Sequence, residues 1–160
     1  MNPRPATPAD TAELVRVINL AYQVEADLFL DQRTSDADVR ERLALPNAAF
    51  LVLDDAAAGR GRLVGAVYVE TRGPRGYFAM LSVDPAHQGL GLGRRLVHAA
   101  ETYCRAAACQ VLEIDVVDLR VELPGFYAAL GFTPTGAIPY PDPTRTKRPV
   151  RLIRMVKPLT

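Results

Sequence analysis

Gln88-Gly89-Leu90-Gly91-Leu92-Gly93-Arg94 joins a strand to a long amphipathic helix, and it constrains the fold more than any other stretch of the chain. Glycines at alternate positions let the backbone turn tightly, with no Cβ to hold a ligand away. Their amide hydrogens can converge on an anion, and the helix beginning near Leu92 adds its positive end. Physical chemistry alone therefore reads Gly89, Leu90, Gly91, Leu92 and Gly93 as a cradle for a phosphate or pyrophosphate, with Arg94 and Arg95 as charged supplements. The spacing argues against two common nucleotide sites. A P-loop needs GxxxxGK followed by Ser or Thr, and no lysine is present here. The dinucleotide fingerprint needs GxGxxG after the first strand of a parallel unit, whereas this GxGxG follows the third strand of an antiparallel run.

The strand before the cradle and the helix after it belong to a longer alternation. Thr7-Pro8-Ala9-Asp10 is a helix start, and Leu14, Val17, Ile18, Ala21 and Tyr22 recur at three- and four-residue steps behind it. A second short helix follows Ser35, carries Val39, Leu43 and Leu45 on its apolar face, and stops at Pro46. Ala48–Leu53 and Leu63–Glu70 read as antiparallel strands. Gly73-Pro74-Arg75-Gly76 turns the chain into a third strand, Tyr77–Val83. The helix carrying Leu96, Val97, Ala100, Tyr103, Cys104 and Ala107 leads to the strand Val111–Val117, which sets Leu112, Ile114 and Val116 on one face and Glu113 and Asp115 on the other. Glu122–Leu130 is a short helix that stops at Gly131. Phe132–Ile138 and Val150–Val156 are the last strands, separated by Pro139–Pro149, whose four prolines rule out regular structure. The class is α+β. The strand–helix–strand unit requires at least one parallel pair in an otherwise antiparallel sheet.

At 160 residues, 49% apolar and 23% charged, the chain fits one domain over residues 1–160 with a real core. A net charge of +1 gives no electrostatic reason to expect nucleic acid. The polar, proline-rich start carries no signal-length apolar core, and no run approaches the ~18–20 apolar residues of a membrane helix. The expected location is the cytoplasm. Cys104 and Cys109, five apart on what reads as one helix, are expected to be buried reduced thiols whose side chains point in different directions. Neither they nor His87 and His98 show a metal-ligand spacing.

Leu81-Ser82-Val83-Asp84-Pro85, followed by Gln88-x-x-Gly91-x-Gly93, resembles the acyl-CoA motif of the GNAT superfamily of N-acetyltransferases, written Q/R-x-x-G-x-G/A. Phe126-Tyr127-x-x-Leu130-Gly131-Phe132 is similar to the superfamily's Tyr-x-x-x-Gly-Phe signature, and the element order fits over nearly the whole chain. The resemblance implies a mixed, mostly antiparallel sheet of about six to seven strands with helices on both faces and a splayed parallel pair holding acetyl-CoA. It assigns Leu81, Ser82 and Val83 to the pantetheine arm through backbone groups, and Gln88 to Arg94 to the pyrophosphate. Tyr127 is placed near the cofactor sulfur as general acid for the departing thiolate, a sensible task for a phenol of ordinary pKa ~10. One departure stands out: Arg120 lies seven residues before Tyr127, where many relatives carry asparagine, and a guanidinium cannot accept a hydrogen bond.

Acyl transfer to an amine also needs the amine's proton removed. Glu70, at the end of the second strand, is the first candidate base, acting directly or through water. Asp115 is the second. The acceptor pocket implied by the resemblance comprises roughly residues 22–34, 77–80 and 139–149. Glu25, Asp27 and Asp31 there would attract a cationic amine, while Arg145, Lys147 and Arg148 would favour an acidic acceptor. The two hints disagree. The resemblance also admits a homodimer. A non-catalytic acyl-CoA-binding module and an unrelated phosphate-binding domain are the competing readings.

Overall fold

The computed structural model describes residues 2–160. Its sheet has seven strands among the described residues: β1 (Arg4–Pro5), β2 (Ala48–Asp55), β3 (Gly59–Arg72), β4 (Arg75–Val83), β5 (Val111–Val117), β6 (Thr133–Pro139) and β7 (Arg151–Pro158). Their order across the sheet is β1-β2-β3-β4-β5-β7-β6. All neighbours are antiparallel except β4 and β5, which the helix α3 (Leu92–Ala106) connects. Helices α1 (Thr11–Ala21) and α2 (Asp36–Leu43) pack on one face. On the other lie α3 and α4 (Leu123–Ala129).

Apolar periodicity explains the two faces. Leu14, Val17 and Ile18 of α1 and Val39 of α2 bury against Phe50, Val52, Ala66 and Tyr68. Leu96, Val97, Ala100 and Cys104 of α3 bury against Leu51, Val67, Val69 and Phe78, the alternate residues of the same strands. Gly76 shows how close that second layer comes: a Cβ there would lie 2.5 Å from the Cys104 Sγ and 3.3 Å from Leu112 Cδ1.

Several boundaries differ from the sequence reading. Arg4–Pro5 forms an edge strand because Arg4 grips Asp54 at 2.7 Å and Asp10 at 3.0 Å, contacts that no periodicity announces. Arg75 and Gly76 belong to β4 and pair with Val111 and Leu112, so only Gly73 and Pro74 make the turn. Leu45 lies past the end of α2 and is exposed. The 139–149 segment is not wholly irregular: Pro143–Arg145 makes one 3₁₀ turn. The two thiols do not point apart. Helix α3 ends at Ala106, Ala108 adopts φ 62°, and the Cys109 N–H donates back to Cys104 O at 2.9 Å. Both side chains then enter the same core, with no disulfide between them. No described helix is long and apolar enough to cross a membrane.

Candidate active site

The parallel ladder between β4 and β5 is short. It pairs Arg75 with Val111, Gly76 with Leu112 and Tyr77 with Glu113, and then stops. Just beyond, Met80 and Leu81 of β4 face the single residue Val67 of β3, a β-bulge with Met80 at φ 56°. A left-handed methionine costs about 1–2 kcal/mol, and such strain persists where surrounding contacts enforce it. Here Ser82, 1% exposed, donates its hydroxyl to Met80 O at 2.9 Å. The bulge turns β4 away from β5. Ser82 and Val83 stay paired to β3 on one side, and with Leu81 they present an open backbone edge on the other. That edge is what an extended, amide-bearing arm would dock against by strand addition.

The glycine segment follows at the wide end of this gap. Gly89 and Gly91 have φ of +82° and +77°, and open space surrounds the position of a Cβ on each. Only their backbone conformation, not crowding, demands glycine. Gly91 caps α3, so the first-turn amides of Leu92, Gly93 and Arg94 have no intrahelical acceptor. The Leu92 side chain is 6% exposed and faces the core, which leaves its amide to the loop side. Arg94 is exposed at the same end, and Gln88 and Leu90 are exposed in the loop. The Nδ1 of His87 is buried there without a hydrogen-bond partner. These donors fit a pyrophosphate.

Tyr127 adjoins the cradle through one neighbour. A Cβ on Gly93 would lie 3.6 Å from Phe126 Cζ, and the Phe126 and Tyr127 rings are 5.0 Å apart. Tyr127 is 3% exposed and packs edge-on against Phe78 and Phe132 at 5.9 Å and 5.8 Å. Its hydroxyl makes no hydrogen bond to a described residue. Burial drives the phenol pKa well above the ordinary tyrosine range, Tyr22 and Glu25 add to that, and Arg120 opposes it. The phenol therefore stays protonated, as a proton donor must.

Those influences identify the neighbours that the sequence alone did not bring together. Glu25, 5% exposed just after α1, accepts from Arg120 Nη1 at 2.8 Å. The Arg120 Nε donates to Glu122 at 2.6 Å. Desolvation raises the Glu25 pKa, and the facing guanidinium only partly offsets it. Glu70 lies elsewhere. It pairs with Tyr77 across β3 and β4, and Arg72 holds it at 2.8 Å while stacking 4.6 Å from the Tyr77 ring. Asp115 is clamped by two Arg154 hydrogen bonds, each 2.9 Å. Glu70 is thus opposite Tyr77, the last β4 residue of the parallel ladder, and Asp115 lies two residues past Glu113, its last β5 residue.

The acetyltransferase (GNAT) family model matches residues 15–132, which include the open strand, the cradle and Tyr127. The chain belongs to the GNAT acetyltransferase family. Glucosamine 6-phosphate N-acetyltransferase 1 of Oryza sativa subsp. japonica is 38% identical over 99 residues, 58% of this chain and 58% of that protein. The chain thus spans little more than half the length of that relative. Aminoglycoside N(6')-acetyltransferase type 1 of Stenotrophomonas maltophilia is 31% identical over 146 residues, 86% of this chain and 89% of its own. Among solved structures, the phosphinothricin acetyltransferase of Sinorhizobium meliloti in complex with acetyl-CoA superposes with a TM-score of 0.77 at 18% identity, covering 99% of this chain and 89% of the other. The fold is shared, with the splayed parallel pair at its centre.

Proposed function

We propose that this acetyltransferase, read as a single domain over residues 1–160, moves an acetyl group from acetyl-CoA to a primary amine by direct transfer. The observation that carries the reading is Tyr127, a buried side chain whose hydroxyl meets no described hydrogen-bond partner, one aromatic neighbour away from the glycine cradle. When bound, acetyl-CoA supplies the activated thioester carbonyl. Backbone groups of Leu81, Ser82 and Val83 would hold the pantetheine arm and polarise the carbonyl oxygen. The amides from Gln88 to Arg94 would hold the pyrophosphate. Tyr127 would protonate the thiolate as it leaves. Of the two candidate bases, Asp115 is bound on both oxygens, whereas Glu70 has a single bridge to an exposed arginine. Glu70 is therefore the carboxylate better placed to take the amine's proton, through water.

The printed names of the relatives, a glucosamine 6-phosphate and an aminoglycoside acetyltransferase, support an amine acceptor. The two free buried thiols suit a reducing cytoplasm. Thermal melting with acetyl-CoA, CoA, ATP and NAD tests the cofactor, because a ligand that binds only the folded state raises its melting temperature. A rise with acetyl-CoA and CoA alone, followed by amine-dependent thiol release, is the expected outcome. Binding without thioester cleavage would leave a non-catalytic acyl-CoA module.

A further inference from the structure

The acidic and basic loops around the expected acceptor pocket are joined to each other. Asp31 pairs with Arg145 at 3.2 Å, and the Lys147 Nζ donates to Ala26 O at 3.0 Å. Backbone hydrogen bonds from Leu30 to Arg145 O and from Lys147 to Leu28 O, with the Phe29 ring 5.2 Å from that of Tyr140, tie the two loops together. Asp31, Arg145 and Lys147 are therefore a fastening between loops, not opposing signals about the acceptor.

Arg33 is not part of that fastening. It is half-buried, its guanidinium lies 5.3 Å from the Tyr22 ring centroid, and it forms no ion pair with a described residue. It is near enough to Tyr22, Glu25 and Tyr77 to act on each electrostatically. Tyr22 and Glu25 act in turn on Tyr127. Arg33 and Glu25 thus both lie near Tyr22, which in turn lies near the proposed acid. An arginine stacked on an aromatic ring, with no carboxylate partner, keeps its planar fork of donors for a carboxylate or phosphate. Glu25 has the reverse character. Arg120 holds its Oε2, while Oε1 has no hydrogen-bond partner among the described residues. Covering Arg33 with a neutral acceptor would desolvate an unpaired charge, and a plain cation would meet both Arg33 and Arg120.

We propose that the acceptor is a small primary amine that also carries an anionic group, with Arg33 binding the anion and Glu25 receiving the ammonium before its proton is lost. The proposal rests on the acetyl-transfer reading. Carboxylate and phosphate share the recognition chemistry, so the test needs an arm for each. L-phenylalanine is compared with L-phenylalaninamide, and glucosamine 6-phosphate with glucosamine, by acetyl-CoA-dependent thiol release. The kcat/KM ratio of each anionic probe to its neutral counterpart is measured in the wild type, Arg33→Gln and Arg33→Lys. Comparing ratios between variants cancels the intrinsic reactivity of each amine.

In at least one pair, Arg33→Gln should lower the ratio about 10- to 100-fold, the range for a hydrogen bond to a charged group. Arg33→Lys should recover part of it, since a point charge lacks the fork. Loss in the first pair names a carboxylate, and loss in the second a phosphate. Ratios unchanged by Arg33→Gln in both pairs would overturn the proposal, and so would wild-type preference for the neutral member of both. Acetylation of the neutral amines would leave the transferase reading standing in that event. A protein that neither melts higher with acetyl-CoA nor releases thiol with any amine would sink both.

Discussion

Arg120 and Glu25, 95 residues apart in the chain, meet at 2.8 Å across the mouth of the site. Their side chains are 20% and 6% exposed, so the pair is largely removed from water. The guanidinium at the position where many GNAT relatives carry asparagine has a structural role here: it joins the end of α1 to the loop before α4.

Removing Arg120 should therefore destabilise the protein. Breaking a buried pair leaves an uncompensated charge and costs about 3–5 kcal/mol, less here because Arg120 is partly exposed. The sign with pH is specific. The Glu25 pKa is already raised in the folded state, so its contribution favours folding below the ordinary glutamate range and declines as pH rises through the folded value. Without the guanidinium that pKa climbs further. Chemical denaturation of Arg120→Asn should show a larger deficit at pH 8 than at pH 5, and Glu25→Gln in the same background should narrow the gap. A pH-independent deficit would count against the pair.

Tyr127→Phe should lower kcat by about 10²- to 10⁴-fold, the usual contribution of a positioned acid, and leave the acetyl-CoA melting shift intact. Because burial raises the phenol pKa, the alkaline limb of the wild-type kcat profile should not fall at the ordinary tyrosine value of ~10. Unchanged turnover in Tyr127→Phe would remove Tyr127 from the reaction.

Gly91→Glu should abolish the melting shift given by acetyl-CoA. Space at that Cβ is open, so the first atom of the new side chain clashes with nothing. Its structural cost is the left-handed backbone, about 1–2 kcal/mol. The carboxylate, in contrast, would project where an anion is held. Gly91→Asn, which tolerates φ > 0 and brings no charge, should melt near the wild type and keep much of the shift. Normal binding by the glutamate variant would mean that the cradle lies elsewhere.

Much of this was legible in the chain. The period change from helix to strand and the GxGxG turn each report a local backbone requirement, and local requirements leave marks in sequence; Tyr127 stood out only through the family signature that ends in Gly131-Phe132. The edge strand Arg4–Pro5 left no such mark, since it depends on Arg4 reaching Asp54. The same holds at the site. Arg120 was visible as a departure from the family pattern, but its partner was not, because Glu25 reads as one more solvated acid at a helix end. Cys109 misled for a related reason: the helical period was carried past Ala106, where the chain turns back through Ala108.

The two cysteines supply the last test, which concerns the packing of α3 on β4. Burial pushes the Cys104 thiol up to about 12. In the native protein it should resist a thiol reagent at pH 8 and react only on unfolding. Its folded pKa exceeds the ordinary 9.0, so its contribution to stability is complete below pH 9 and is lost as pH rises toward 12. Gly76 faces the same sulfur. Gly76→Ala would place a methyl 2.5 Å from Sγ and 3.1 Å from the Cys104 Cβ, closer than real contacts allow, and should cost about 1–3 kcal/mol. Cys104→Ala alone opens a small cavity. Combined, the added methyl enters the space left by the sulfur, so the double variant should be more stable than the sum of the single losses by at least about 0.5 kcal/mol. Strict additivity in a denaturant cycle would show that β4 and α3 do not meet at this pair, and the spacing that positions the cradle over the open edge of β4 would have to come from other contacts.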